Sequence, residues 1–392
     1  MLTPKYLKKQ PEHIVRIFES LEDEIIEDIS RRIAKNLQLT ETAEYQIEMM
    51  TRMGYDIDEI EKKIAKTMNV SEKELEKILN NAAETSYEND RRIYKKGGKE
   101  LPLLDKNPKM IDFIEATVKQ SKGTMRNLSN TIGFADKSLF KPFGVFYKDT
   151  IDYAVFQLGT GAFDYNTVLR QAVKKIGDSG LRTVDYESGR RYHIESAVRM
   201  NVLTAMSQIT GYMSLANADM MGQDLMEITA HMGARPSHAE WQGQIVSREG
   251  RRGYLSLEDI GYGDVEGFKG ANCRHDWFPF FEGISERVYT DEELENIDPP
   301  DFEYEGKTYT AYDATQKQRY YERQIRQTKR NIIAYDAAGL KDDFTTASIK
   351  LKRQREEYER FSRTAGIRPK HERHHTYSYD KSKSMKAVWA RR

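Results

Sequence analysis

The chain has one cysteine, Cys273, among 392 residues. A lone cysteine excludes an intramolecular disulfide framework and any cysteine-rich zinc module. Proline is scarce, and in the first 180 residues it occurs only at positions 4, 11, 102, 108 and 142. Most of these fall between periodic segments, so long helices have room to run. Long hydrophobic runs are also missing. The longest uncharged stretch, Met200–Ala218, carries Asn201, Thr204, Ser207, Gln208 and Asn217, which suits a buried helix and not a bilayer span. The first residues, MLTPKYLKKQPEH, contain no apolar segment of the kind that directs secretion. Net charge is absent only as a sum: 62 Lys and Arg offset 62 Asp and Glu, yet the balance is −3 over residues 1–100, −8 over 101–310 and +11 over 311–392. A basic end on an acidic chain points to a polyanion or an acidic protein surface, or else to a solvated charged helix and tail.

What is present is mostly helical periodicity. Ile14, Phe18, Leu21, Ile25, Ile29, Ile33 and Leu37 recur every three or four positions and predict one long amphipathic helix over 11–37. Ser71-Glu72-Lys73-Glu74 reads as a capping box that starts a second helix running to the Lys95-Lys96-Gly97-Gly98 stop. Further helical patterns cover about 107–121, 145–158 and 164–177, so residues 1–180 are expected to form an all-helical domain.

The pattern changes at Leu181. Residues 181–186 and 191–194 alternate around a Ser188-Gly189 turn and predict a hairpin. A helix over 195–218, a strand over 225–231, a short helix capped at Ser237 and ended by Gly243, a strand at 244–247, a short helix at 256–260 and an aromatic strand at 272–281 follow. Residues 181–298 thus read as an α+β domain. Gly261, Gly263, Gly267 and Gly270 match neither phosphate-binding pattern, and Asp264 and Glu266 would repel phosphate, so they predict a flexible connection. Residues 299–361 read as a basic helical region and 362–392 as a basic, disordered tail. The expected fold is multi-domain and mainly α, with a central α+β domain and a basic helical C-terminus.

Chemistry-bearing residues gather in His231-Met232-Gly233-Ala234-Arg235-Pro236-Ser237-His238-Ala239-Glu240-Trp241-Gln242-Gly243 and Asn272-Cys273-Arg274-His275. Two imidazoles with a guanidinium could cleave a phosphodiester without metal, one His as base, another as acid, with Arg235 or Arg274 stabilising the phosphorane. On that reading His231, Arg235, His238 and His275 are the catalytic candidates. The same residues could instead form a hydrogen-bonded hub, with Gly233, Pro236, Trp241, Gln242, Gly243, Asn272, Cys273 and Arg274 supporting it. Zinc on His231, His238, Cys273 and His275 is disfavoured, because a Cys-x-His pair is tighter than the usual ligand spacing. No metal and no cofactor is therefore expected. His371, His374 and His375 read as solvated tail residues. Tyr320 and Tyr321 among Arg319, Arg323, Arg326, Lys329 and Arg330, with Lys381 and Lys383 further on, form a candidate contact for nucleic acid or for an acidic partner.

Three blocks, HMGARPSHAEWQGQIVS at 231–247, GANCRHDWFPFFEGISE at 270–286 and YDATQKQRYYERQIRQTKR at 312–330, resemble the minor capsid proteins of tailed bacteriophages that infect Gram-positive bacteria. The resemblance implies a minor head protein in the virion, in the capsid interior near the portal vertex. Its implied partners are the portal protein, major capsid or scaffold proteins and phage DNA, with no membrane, and its implied role is head morphogenesis or DNA packaging and ejection. It also implies relation to head-morphogenesis proteins whose C-terminal domain has been likened to barnase, EndoU and RelE-type folds. That likeness would make His231, Arg235, His238 and His275 the positions of interest.

Overall fold

The structure is a computed structural model that describes residues 3–37, 43–136, 139–160, 162–184, 189–270 and 273–390. Its elements run from helix α1 (Pro4–Lys9) through α2 (Glu12–Leu37), α3 (Ala43–Lys96) and α4 (Pro108–Asn130) to strands β1 (Gly133–Asp136) and β2 (Leu139–Pro142). Helices α5 (Phe143–Gly159) and α6 (Tyr165–Ser179), strands β3 (Arg182–Val184) and β4 (Arg191–His193) and helix α7 (Ile194–Met221) come next. They are followed by β5 (Leu225–Ile228), α8 (Pro236–Ala239), β6 (Ile245–Ser247), β7 (Trp277–Pro279) and α9 (Asp291–Glu295). The chain closes with β8 (Phe302–Tyr304), β9 (Lys307–Tyr309), α10 (Ala311–Ala337), α11 (Lys341–Thr364) and α12 (Lys381–Ala390). The fold is mainly helical with small antiparallel sheets.

The chain folds into two compact units, each made of three separate stretches: Met1–Ile14, Ser71–Met125 and Val198–Thr315 in the first, Val15–Val70, Arg126–Ala197 and Gln316–Arg392 in the second. The expected boundaries at 180 and 298 do not coincide with these units.

In the first unit a three-stranded sheet of order β6-β5-β7 is central. β5 is buried along its whole length, and Met226 and Ile228 pack with Val246, Trp241, Ile260, Phe268 and Trp277. Asp90 on α3 is wholly buried and accepts hydrogen bonds from Ser214 Oγ and Asn217 Nδ2 of α7, both at 3.0 Å. Burial raises its carboxyl to about 7, against the pull of those two donors. A carboxyl raised on folding contributes its stability below the unfolded value and loses it as pH rises through the folded value. Asp90→Asn is therefore expected to raise the melting temperature relative to the wild type at pH 8 and to leave it unchanged below about pH 3, as read by thermal unfolding monitored by circular dichroism.

The second unit is held by a four-stranded antiparallel sheet of order β2-β1-β3-β4 and by a charged interior. Glu22 on α2 accepts the Leu181 amide at 2.7 Å and pairs with Arg330 on α10 at 3.4 Å. Arg326, one turn earlier, pairs with Glu195 at 2.6 Å and with Glu19 at 3.7 Å. Burial alone would raise Glu195, but Arg326, His193 and Arg330 hold it at about 2.

Several sequence-based expectations change. Residues 43–96 form one continuous helix with Ser71 buried in its interior, because no proline or glycine after Gly54 breaks it before Gly97. The first 180 residues are not all helical, since β1 and β2 pair over four residues, too few for alternation to show in sequence. Residues 256–260 form turns and not a helix, and α8 begins at Pro236, whose fixed φ suits a first helical position, and not after a Ser237 cap. Residues 362–392, expected to lack structure, carry a 3-10 turn at His371–His374 and helix α12, with His374 and Ala387 buried. The expected hairpin turn at 187–190 lies partly outside the described residues.

Candidate functional site: a buried histidine and cysteine cluster

The cluster is built by strand register. Ile228 of β5 pairs with Trp277 of β7, and Thr229 continues the ladder: its amide donates to Asp276 O at 2.8 Å, and its hydroxyl accepts the Asp276 amide at 2.8 Å. Continued register would set His231 opposite Arg274; past the end of the ladder the His231 ring instead stacks on that of His275, with centroids 4.5 Å apart. After His231 the chain turns at Gly233, whose amide donates to Asp298 Oδ1 at 2.7 Å. It then enters α8, which carries His238, and returns through Trp241 and Gln242 to β6. Gly243 has φ +70, and a Cβ there would run into Leu294, so that turn requires glycine. Just before β7, Cys273 and His275 are buried while Arg274 is half-buried, the alternation expected of an extended segment. Asn272 lies outside the described residues.

The glycine loop does not behave as a flexible connection. A Cβ on Gly267 would collide with Gly261 O, and one on Gly270 with Asp264 O and Val265 O, so the loop is folded tightly on itself around the buried Phe268. Lys269 sits at φ +63 and ion-pairs with Asp276, its Nζ also 3.1 Å from Thr210 Oγ1. A non-glycine residue in that region is held there at some cost in strain.

This loop presents Glu266 O to the cluster. His238 Nε2 lies 2.8 Å from it and Arg235 Nη1 donates to it at 3.2 Å. Gln242 Oε1 accepts the His231 amide at 3.1 Å and faces His275 Nε2 at 3.3 Å. His238 Nδ1 and His275 Nδ1 are 3.4 Å apart, and Cys273 Sγ is 3.6 Å from His275 Nδ1. Trp241 covers the group, with its ring 4.5 Å from that of His238 and 4.9 Å from that of His275.

The electrostatics follow from burial. His238 and His275 are each 2% exposed. Burial pushes His275 well below the usual imidazole range and lowers His238 and His231 as well. It raises the Cys273 thiol, against hydrogen bonds from the His275 and Lys269 backbone. The structure thus brings together His231, His238, Cys273 and His275, with Arg235, Trp241 and Gln242 around them. A cleft of about 1060 Å3 in the second unit, lined by Lys141, Asp149, Lys174 and Arg182 among others, holds none of the motif residues.

The basic candidates divide. Arg323 and Lys381 are exposed, and Arg319 and Lys383 are half-buried, Lys383 lying 3.7 Å from Glu27. Lys329 and Arg330 are buried, Lys329 donating to His374 O and Arg330 pairing with Glu22, while Arg326 is enclosed by Glu19 and Glu195. Those three side chains are corrected from surface contacts to parts of the second unit's interior. A basic, aromatic helix cannot announce in sequence which of its cations meet buried carboxylates from residues 19–22 and 195. The tail histidine His374 is corrected in the same way: it is buried against Lys329, and burial lowers its imidazole to about 3.

Comparison with known proteins decides the family. Residues 2–362 match the family described as phage minor capsid protein 2. The chain belongs to that family. Two relatives are each named as a structural protein: that of Lactococcus phage LL-H is 24% identical over 200 residues, covering 49% of this chain and 51% of its own. That of Lactococcus phage mv4 is 31% identical over 86 residues, 22% of this chain and 61% of its own. The chain thus spans between half and two thirds of the length of the curated relatives it matches. No solved structure matches it at a significant level. As a phage minor capsid protein, the chain is a structural component of the virion, and no described helix is long and apolar enough to cross a membrane.

Proposed function

We propose that this minor capsid protein sits in the capsid interior near the portal vertex, contacts the portal and the major capsid or scaffold proteins, and acts in head morphogenesis or DNA packaging and ejection. The observation that carries the reading is the family match over residues 2–362 together with the positive balance after residue 310. The cations that stay exposed there, Arg323, Arg353 and Lys381 among them, are available to phage DNA or to an acidic protein ring.

The motif residues act in this reading as a structural hub. A metal-independent nuclease on a barnase-like, EndoU-like or RelE-like fold would use His231, Arg235, His238 and His275 around an open cleft, with imidazoles that exchange protons near neutral pH. His238 and His275 are instead buried, bonded to Glu266 O and Gln242, and disfavoured as imidazolium. That geometry supports the hub.

The test is cross-linking mass spectrometry on procapsids and virions from an infected host, with cross-links from this chain to the portal expected. Absence of the chain from both particles would sink the reading. Removing residues 362–392 would strip the buried His374 and Ala387 from the second unit, so charge reversal is the cleaner probe of the basic face. Arg323→Glu combined with Arg353→Glu is expected to weaken DNA retention by the purified chain and to flatten its salt dependence by about one unit of slope for each phosphate no longer neutralised. Unchanged binding and slope would exclude these two residues from the DNA-binding surface.

A further inference from the structure

The hydrogen bonds around the histidine cluster fix where its protons sit. Glu266 O is a carbonyl and can only accept, so His238 must carry its proton on Nε2. Gln242 Oε1 takes the His231 amide, which is a donor, so it is the oxygen and not the nitrogen of Gln242 that faces His275 Nε2. His275 therefore also carries its proton on Nε2. Two neutral imidazoles then point bare Nδ1 lone pairs at one another across 3.4 Å, with Cys273 Sγ 3.6 Å from one of them. A single thiol proton can satisfy only one of those lone pairs. An arrangement of three convergent lone-pair donors in a buried site calls for a cation at its centre.

We propose that His238 Nδ1, Cys273 Sγ and His275 Nδ1 bind a zinc ion through three protein ligands, with the fourth position left to solvent or an exogenous group. The three ligand atoms lie within 4.8 Å of one another, and all three residues are buried. Zinc–nitrogen bonds of about 2.0–2.1 Å and a zinc–sulfur bond of about 2.3 Å give tetrahedral edges of about 3.4 Å between nitrogens and about 3.6 Å between nitrogen and sulfur. The separations of 3.4 Å and 3.6 Å match those edges. The outer contacts are those a zinc site requires: each ligating imidazole gives its other N–H to a fixed oxygen, Glu266 O or Gln242 Oε1, which holds the ring in place. One thiolate and two imidazoles in tetrahedral array favour zinc over magnesium or calcium, which take oxygen ligands. The tight Cys-x-His spacing is no obstacle, because residues two apart on an extended segment present their side chains to the same side.

A second grouping, Glu22, His193 and Glu195, shows the contrast. Its carboxylates are already matched by Arg326 and Arg330, so cationic charge is supplied by the chain itself. At the Cys273 cluster the ammonium of Lys269 is instead paired with Asp276.

The zinc inference stands apart from the virion reading, since it is tested on the isolated full-length chain. Purified under reducing conditions, the chain is expected to contain zinc at a ratio near one by elemental analysis. Chelation should lower its melting temperature and added zinc should restore it. Replacing zinc with cobalt should give a thiolate-to-cobalt charge-transfer band in the near ultraviolet and visible bands of a tetrahedral ion, a readout that needs no variant. Cys273→Ser is expected to abolish the charge-transfer band, and Gln242→Ala to weaken zinc affinity by about 10–100-fold while leaving all three ligands. A wild-type chain that is folded by circular dichroism yet takes up neither zinc nor cobalt would overturn the proposal, as would cobalt bands that persist unchanged in Cys273→Ser.

Discussion

Arg330→Met is expected to destabilise the second unit by about 3–5 kcal/mol, the cost of leaving a buried charge without its partner. The stranded group is Glu22, which keeps the Leu181 amide but loses the guanidinium 3.4 Å away. Arg330 also donates to Gly177 O at 3.4 Å, so one side chain joins α2, the end of α6 and α10. Chemical denaturation followed by circular dichroism reads the loss. Glu22→Gln in the Arg330→Met background should recover much of it, because the amide oxygen still accepts from Leu181 N–H while the buried charge is gone. If Arg330→Met instead left stability unchanged and weakened DNA binding, Arg330 would be a surface residue after all.

The second large effect belongs to Phe268. Its ring lies 5.7 Å from Trp241, 5.0 Å from Trp277 and 6.1 Å from Tyr262, and the side chain has no exposed surface. Phe268→Ala should cost about 3–5 kcal/mol, as transfer and cavity terms add. The change has a local signature as well. Phe268 N–H donates to Ile260 O at 2.9 Å and the ring anchors residues 261–270, so its loss frees Glu266 O from His238 Nε2. Hydrogen exchange should rise across 261–270 more than across β5. Equal protection in wild type and variant would mean that the glycine-rich backbone holds the loop by itself.

The contrast between these two residues shows what sequence could reveal. Periodicity exposed α2, α5, α6 and α7 within a few residues, because each buries a stripe repeated every three or four positions. The density of imidazole and thiol in two short blocks marked His231, His238, Cys273 and His275 as a group, without showing that they meet. Neither could expose the tertiary partners of a charged residue. Arg323 and Arg330 are separated by two turns on one helix and look alike in sequence, yet one is exposed and the other meets Glu22 from more than 300 residues earlier. The zinc geometry was hidden for a related reason: spacing rules describe ligands on knuckles and helices, whereas this site draws His238 from α8 and the other two ligands from an extended segment. The glycines misled because their number suggests mobility, while Gly267 and Gly270 are there to let backbone approach backbone.

The interleaving of the two units bears on how the chain is made. Val15–Val70 belongs with Gln316–Arg392, and Ser71–Met125 with Val198–Thr315. A ribosome emits the first stretch of the second unit long before the last, so that unit cannot close until residues 316–392 have emerged. Its apolar α2 residues Phe18, Ile25, Ile29 and Ile33 emerge well before Gln316–Arg392, the stretch that completes their unit. A nascent chain of this design leaves that unit open to chaperones and proteases until Gln316–Arg392 has emerged. Its yield should therefore depend on elongation rate and on holdase supply more steeply than that of a protein whose domains follow one another along the chain.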